Sequence, residues 1–146
     1  MSLIQDYLTG DHRRCDELLS AAESAVDSGD WSDAEQKTQA FLTTTANHLR
    51  MEEEILFPAF EEATGMTQGP TAMMRQEHDQ MRGLFAQIED ALQRQDEEDF
   101  LGNTETLLIM IQQHNMKEEG MLYPMADEHL VDQSEQLLDQ MKKTSE

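Results

Sequence analysis

The chain repeats one pattern at a spacing of sixty-six residues, and that repetition fixes most of what it can fold into. His12, His48 and Glu52 recur as His78, His114 and Glu118, with His-x-x-x-Glu closing each copy. The likeness runs past these six positions. HLRMEEEILFPAFEE from His48 and HNMKEEGMLYPMADE from His114 share H-x-x-x-E-E-x-x-L-[FY]-P-x-x-x-E. Four imidazoles and two carboxylates in a duplicated helical hairpin form an N/O donor set suited to two transition-metal ions.

Apolar residues recur at three- and four-residue steps and almost nowhere alternate, so the fold class is all-α. The first helix carries Leu8, His12, Cys15, Leu18, Leu19, Ala22 and Val26 inward and stops near Ser28-Gly29. Asp30, with Asp33 three residues on, caps a second helix presenting Phe41, Thr45, His48, Glu52 and Ile55. Asp96 and Asp99 repeat that cap. The third helix follows Gly69-Pro70 and points Met74, His78, Met81, Phe85, Ile88 and Leu92 inward. The fourth presents Leu107, Ile111, His114, Glu118 and Met121. Pro58 and Pro124, each ten residues after a histidine, are expected to kink or end the second and fourth helices.

Loop positions bring the histidines to one level. His12 lies eighteen residues before Asp30 and His48 eighteen after it, and His78, Asp96 and His114 repeat the count. At about 1.5 Å per residue each arm is roughly 27 Å long, so all four rings return to a single layer of an antiparallel bundle. The expected architecture is an up-down four-helix bundle forming a single domain over 1–146. Its hairpins span about 3–57 and 70–123, and a short extra helical segment occupies 124–146.

Residues at i and i+4 lie about 40° apart around a helix, so His48 with Glu52 and His114 with Glu118 reach one small volume. A carboxylate has two oxygens and can bridge two cations, which assigns Glu52 and Glu118 as bridges. Four nitrogens and two bridging carboxylates supply eight of twelve octahedral positions, leaving room for a solvent-derived bridge and open sites. Iron or manganese suits this count better than zinc, whose structural sites are closed and usually tetrahedral. Such a cluster without a cation is poorly solvated and partly self-repelling, so the metal is also expected to hold the bundle together.

Composition excludes other classes. A formal charge of -21, from 31 acidic and 10 basic residues, repels nucleic acid and anionic membranes alike. One cysteine, Cys15, cannot form an internal disulfide, and MSLIQDYLTGDHRR lacks the basic start and apolar run of a signal peptide. No apolar stretch approaches the roughly 20 residues that span a bilayer. The expectation is a soluble cytoplasmic protein.

The arrangement H…HxxxE…H…HxxxE resembles the hemerythrin-like HHE cation-binding domains, over essentially the whole chain from His12 to about Pro124. That resemblance implies a four-helix bundle holding a non-haem di-iron centre, with manganese the second choice. It places His12 and His48 on one iron, His78 and His114 on the other, and Glu52 and Glu118 on both, with an oxo or hydroxo bridge. The chain departs from the oxygen-carrying members, which have a further histidine on the third helix. Neither Met74 nor Arg82 supplies it here. The oxygen carriers also use aspartate at a five-residue step where this chain has Glu118 at four. The pattern looks closer to bacterial stress-response and cluster-repair relatives. The expected function is therefore binding or sensing of dioxygen, nitric oxide or iron through an open coordination position. The alternative is a di-iron enzyme acting on nitric oxide or peroxide, or an iron donor in nitrosative or oxidative stress defence and iron-sulfur cluster repair. No catalytic residue is assigned, since no dedicated general acid or base stands out.

Other residues carry two readings each. Cys15 shares the inward face near His12, either as a thiolate that tunes the metal or as a small buried hydrophobe. Tyr123, aligned with Phe57, either hydrogen-bonds at the centre or packs. Met51, Met74, Met81, Met110, Met116 and Met121 read as adaptable core filling rather than soft ligands. Glu53 and Glu119 point away from their own ligand face, into solvent or toward a neighbouring histidine. Asp11 and Glu77, each one residue before a histidine, invite a supporting role but face elsewhere on their own helices. His129 falls outside the pattern and reads as surface or packing.

Overall fold

A computed structural model describes residues 3–144 of the chain. The expected span of 1–146 thus includes residues 1, 2, 145 and 146, which lie outside the described residues. The described residues form helices and no strand. Helix α1 (Leu3–Asp27) and α2 (Trp31–Met51) make the first hairpin, and α4 (Pro70–Arg94) and α5 (Glu97–Lys117) the second. Between them α3 (Phe57–Thr64) continues the line of α2. After α5 come α6 (Tyr123–His129), a 3-10 turn at Val131–Gln133, and α7 (Ser134–Thr144).

The duplication is kept in the backbone. The arms are 25 and 21 residues long in both hairpins. Asp30 accepts a hydrogen bond from Asp33 N at 3.1 Å, and Asp96 one from Asp99 N at 3.0 Å, each satisfying an amide that the first turn leaves free. One residue before each cap the chain turns through the left-handed region, at Gly29 (φ 79°) and at Gln95 (φ 53°). Pro70 starts α4 where its missing N–H costs nothing. Helix α1 packs on α2 and α5, and α4 on α5 and α2, which closes the expected up-down square.

Two apolar clusters fill the bundle. Leu19, Val26, Phe41, Ile88, Phe100 and Leu107 pack toward the hairpin loops. Ile4, Leu8, Phe57, Phe60, Leu122, Leu130, Leu137 and Met141 pack at the other end, where α3, α6 and α7 close the bundle. Burying each phenylalanine contributes about 1.5–3 kcal/mol. The four histidines lie in the layer between these clusters. The C-terminal segment expected as an extra helix is α6 and α7, with Leu137 and Met141 sealing that end.

The prolines act differently from expectation. Pro58 and Pro124 neither end nor break their helices. In a regular α-helix each ring would collide with the carbonyl four residues back. Instead the chain widens just ahead of each, in π turns at Glu52–Leu56 and Glu118–Leu122. Phe57 N–H donates to Glu52 O and Tyr123 N–H to Glu118 O, both i→i+5 bonds, and the helix then runs on. The broken 3.6-residue register corrects a second expectation, that Met121 faces inward: it is 46% exposed. Met116 is exposed as well, so core filling holds for Met51, Met74 and Met81 but not for these two. His129 is exposed, its ring edge against Phe60 at 6.2 Å. Among the described residues no helix is long and apolar enough to cross a membrane.

Candidate metal centre

All six expected residues converge. His12, His48, His78, His114, Glu52 and Glu118 are buried, from four different helices and two π turns. They form two overlapping groups, His12, His48, Glu52 and Glu118, and Glu52, His78, His114 and Glu118. Within each group the donor atoms lie within 4.8 Å of one another, and both carboxylates belong to both groups. Each glutamate sits between a histidine of its own strand of the bundle and one of the other hairpin. Glu52 Oε1 is 3.6 Å from His48 Nε2 and 3.1 Å from His78 Nε2. Glu118 Oε1 is 3.3 Å from His114 Nε2 and 3.0 Å from His12 Nε2.

The second group has an unmet need. His78 Nε2, His114 Nε2, Glu52 Oε1 and Glu118 Oε2 are buried without a hydrogen-bond partner among the described residues. The close approaches just given for His78 and His114 lack hydrogen-bond geometry. Four orphaned polar atoms around one volume cost several kcal/mol in total, because each has given up water for nothing. A cation between them removes that cost. The residues present therefore fit a metal, and the all N/O donor set excludes a thiolate site: Cys15 is buried but belongs to neither group. Burial pushes its thiol up, away from the reactive thiolate.

Each of the four clustered histidines is held from behind by a carboxylate. Nδ1 of His12 donates to Glu119 Oε2 at 2.7 Å, and Nδ1 of His48 to Asp11 Oδ2 at 2.8 Å. Nδ1 of His78 donates to Glu53 Oε2 at 2.8 Å, and Nδ1 of His114 to Glu77 Oε1 at 2.7 Å. A carboxylate can only accept, so each Nδ1 carries a proton, which leaves each Nε2 as the ring atom that would face a cation. Three of the four are themselves anchored. Arg14 pairs with Asp11 at 2.7 Å, Arg82 grips both oxygens of Glu53 at 2.8 and 2.7 Å, and Lys117 reaches Glu77 at 2.5 Å.

This outer ring corrects the sequence reading of Asp11 and Glu77. Each faces away from its own neighbour, as expected, and thereby reaches the histidine of the adjacent antiparallel helix. Glu53 and Glu119 do support a neighbouring histidine. The signal was present: an acidic residue precedes the first histidine and follows the His-x-x-x-Glu glutamate in both copies, again sixty-six apart. Arg82 and Lys117 have no such repeat and were not legible.

Tyr123 is the other residue the sequence left open. Its hydroxyl donates to Glu52 Oε2 at 2.6 Å and lies 3.0 Å from Glu118 Oε1, 3.1 Å from His12 Nε2 and 3.4 Å from His48 Nε2. Its ring stacks on His12 at 5.5 Å, as that of Phe57 stacks on His78 at 5.6 Å.

Several groups of the metal-free cluster are shifted by their neighbours. Burial alone would lower His48, but the Glu52 carboxylate and the Asp11 hydrogen bond outweigh it and lift it well above the usual imidazole range. His114 is likewise pushed up to about 9, burial being overcome by Glu118 and Glu52. Burial pushes Glu52 upward, yet the His48 charge and hydrogen bonds from its surroundings hold it well below an ordinary carboxyl. Burial, with Glu118 and Glu52 adding to it, raises the Tyr123 phenol. The same opposition holds Asp11, Glu53 and Glu77 low: burial is outweighed by the histidine and cation each one faces.

No curated protein and no solved structure matches the chain. The family model described as Hemerythrin HHE cation binding domain matches residues 3–126, from the start of α1 into α6 and so across both hairpins and the whole buried cluster. With that match over the residues that build the site, the chain belongs to the hemerythrin HHE cation-binding family.

Proposed function

We propose that this chain is a non-haem di-iron binding protein that binds or senses dioxygen or nitric oxide through an open coordination position. In this reading His12 and His48 hold one ion, His78 and His114 the other, and Glu52 and Glu118 bridge them. The observation that supports it is the pair of donor groups sharing both carboxylates, with four partnerless atoms aimed into one volume. Iron, when bound, supplies the redox change and the vacant position for a diatomic ligand. The chain's residues do the rest. Asp11, Glu53, Glu77 and Glu119 fix the ring orientations, Leu8, Met74 and Phe57 exclude water, and the bridging carboxylates offset the cationic charge.

Binding is preferred over turnover because the carboxylates and the tyrosine set against the six donors are already hydrogen-bonded to them, as supports rather than as a separate general acid or base. Iron-loaded, reduced protein mixed rapidly with dioxygen, and separately with nitric oxide, is expected to give one stoichiometric spectral change per centre. Repeated consumption of either gas in the presence of a reductant would instead mark an enzyme. Uptake of less than about one equivalent of iron after anaerobic reconstitution would overturn the metal assignment.

A further inference from the structure

The two donor groups are related by the sequence repeat, yet they are not chemically equal. In the first group the Tyr123 hydroxyl approaches all four donors, at 2.6, 3.0, 3.1 and 3.4 Å. In the second, the matching position is Phe57, which offers no donor, and the orphaned atoms are found there. The spacing itself is informative. N and O donors bind such ions at about 2.1 Å, so adjacent vertices of an octahedron stand about 3.0 Å apart. The four hydroxyl distances scatter around that edge length. These distances are hydrogen bonds in the metal-free site, and they also place the oxygen where a vertex of the same coordination polyhedron as its neighbours would stand.

We infer that the Tyr123 oxygen is a fifth protein donor to the His12 and His48 metal position, which leaves the His78 and His114 position as the one with room for an external ligand. This rests on the two-metal reading above. On coordination the O–H bond breaks, an iron–oxygen bond forms and the proton passes to solvent, with no change of oxidation state. The ring is held ready for this. It is fully buried, stacked on His12, and placed by a π turn that begins at the bridging Glu118.

The chain has two tyrosines, so the signature of a phenolate can be assigned. Iron(III)-loaded protein is expected to carry a visible phenolate-to-iron charge-transfer band, with tyrosine ring modes enhanced when resonance Raman spectra are excited within it. Ring-deuterated tyrosine should shift those modes. Tyr7→Phe should leave them in place, and Tyr123→Phe should abolish the band while still binding iron. Bound iron without the ring modes in the unsubstituted protein, or modes that survive Tyr123→Phe, would overturn the inference and leave the two-metal reading standing if two irons are bound. Ring modes with only one iron per chain would support tyrosine ligation and overturn the second metal. No iron uptake would overturn both. Because the isotope measurement uses the unsubstituted protein, failure of Tyr123→Phe to fold does not remove the test.

Discussion

Asp11 sits beside His12 in the chain but accepts its 2.8 Å hydrogen bond from Nδ1 of His48, on the next helix. Glu77 does the same, beside His78 in sequence and bonded to His114. In each hairpin one arm thus brings a histidine to the centre and also the carboxylate that orients the other arm's histidine. Glu53 and Glu119 complete the ring across the hairpins, holding His78 and His12 of the opposite one, so the two hairpins build the site together.

Asp11→Asn removes a charge and leaves the shape, so Nδ1 of His48 keeps an acceptor but loses a charged one. Metal affinity is expected to fall about 10- to 100-fold, the usual effect of removing such a carboxylate. Competition against a chelator of known affinity measures this. An unchanged affinity would make Asp11 a stabiliser of the apo bundle only.

Metal removal should loosen the fold. At free metal about 100-fold above the dissociation constant, binding stabilises the native state by about 2.7 kcal/mol. For a chain of this size that corresponds to roughly 5–10 °C in melting temperature. Calorimetry of loaded and chelator-treated protein measures the difference. Equal melting temperatures would mean that the protons of the apo cluster stabilise the layer as well as metal does.

The metal-free chain should lose stability as pH rises above neutrality. His114 titrates at about 9 when folded against 6.5 for an ordinary imidazole, so its contribution is complete below about 6.5 and gone above about 9. His48 shifts in the same direction. Glu52, held below its ordinary 4.5, acts oppositely and loses its contribution as pH falls below that value. Melting in chelator is therefore expected to be highest between about pH 4.5 and 6.5 and lower at pH 9. Loaded protein should show the reverse trend from pH 6 to 9, since protons then compete with metal for the imidazoles.

Gln95 occupies the left-handed turn that Gly29 occupies in the first hairpin. A side chain there carries a steric cost that glycine avoids. Gln95→Gly should stabilise the chain by about 0.5–1 kcal/mol without altering metal content. Denaturant unfolding with an unchanged m-value would establish it, and a loss of stability would contradict it.

Phe100 is fully buried in the cluster near the hairpin loops, away from the metal layer. Phe100→Ala should cost about 3–5 kcal/mol through lost burial and a cavity. Metal stoichiometry below the new melting point should be unchanged. A fall in stoichiometry would show that the two ends of the bundle are coupled more tightly than their separate clusters suggest.

Much of this arrangement was legible in the chain, because duplication marks it. The equal arms around Asp30 and Asp96 were enough to bring His12, His48, His78 and His114 to one level. The helix pattern read true up to Glu52 and Glu118. Beyond them it went astray, as Met121 illustrates, because periodicity assumes an unbroken 3.6-residue register and cannot register a π turn. Asp11 and Glu77 were discounted for a related reason: their partners lie across a hairpin, and sequence spacing measures only one helix at a time. Tyr123 was ambiguous because its repeat partner is Phe57, and a shared ring predicts packing while a lone hydroxyl predicts chemistry. Both are true of it.

The π turns give each long helix two rotational phases. Ahead of the turn one phase packs the core near the loops. Beyond it another packs Phe57, Phe60 and Leu122 at the opposite end. Winding the same sequence as an unbroken α-helix through Glu52–Leu56 would swing everything after it by about 100°. The hairpin would then have to give up either its buried phenylalanines or its inward glutamate. The ligand layer lies where the two phases meet, so a single extra residue in each copy lets one helix serve both a core and a metal site.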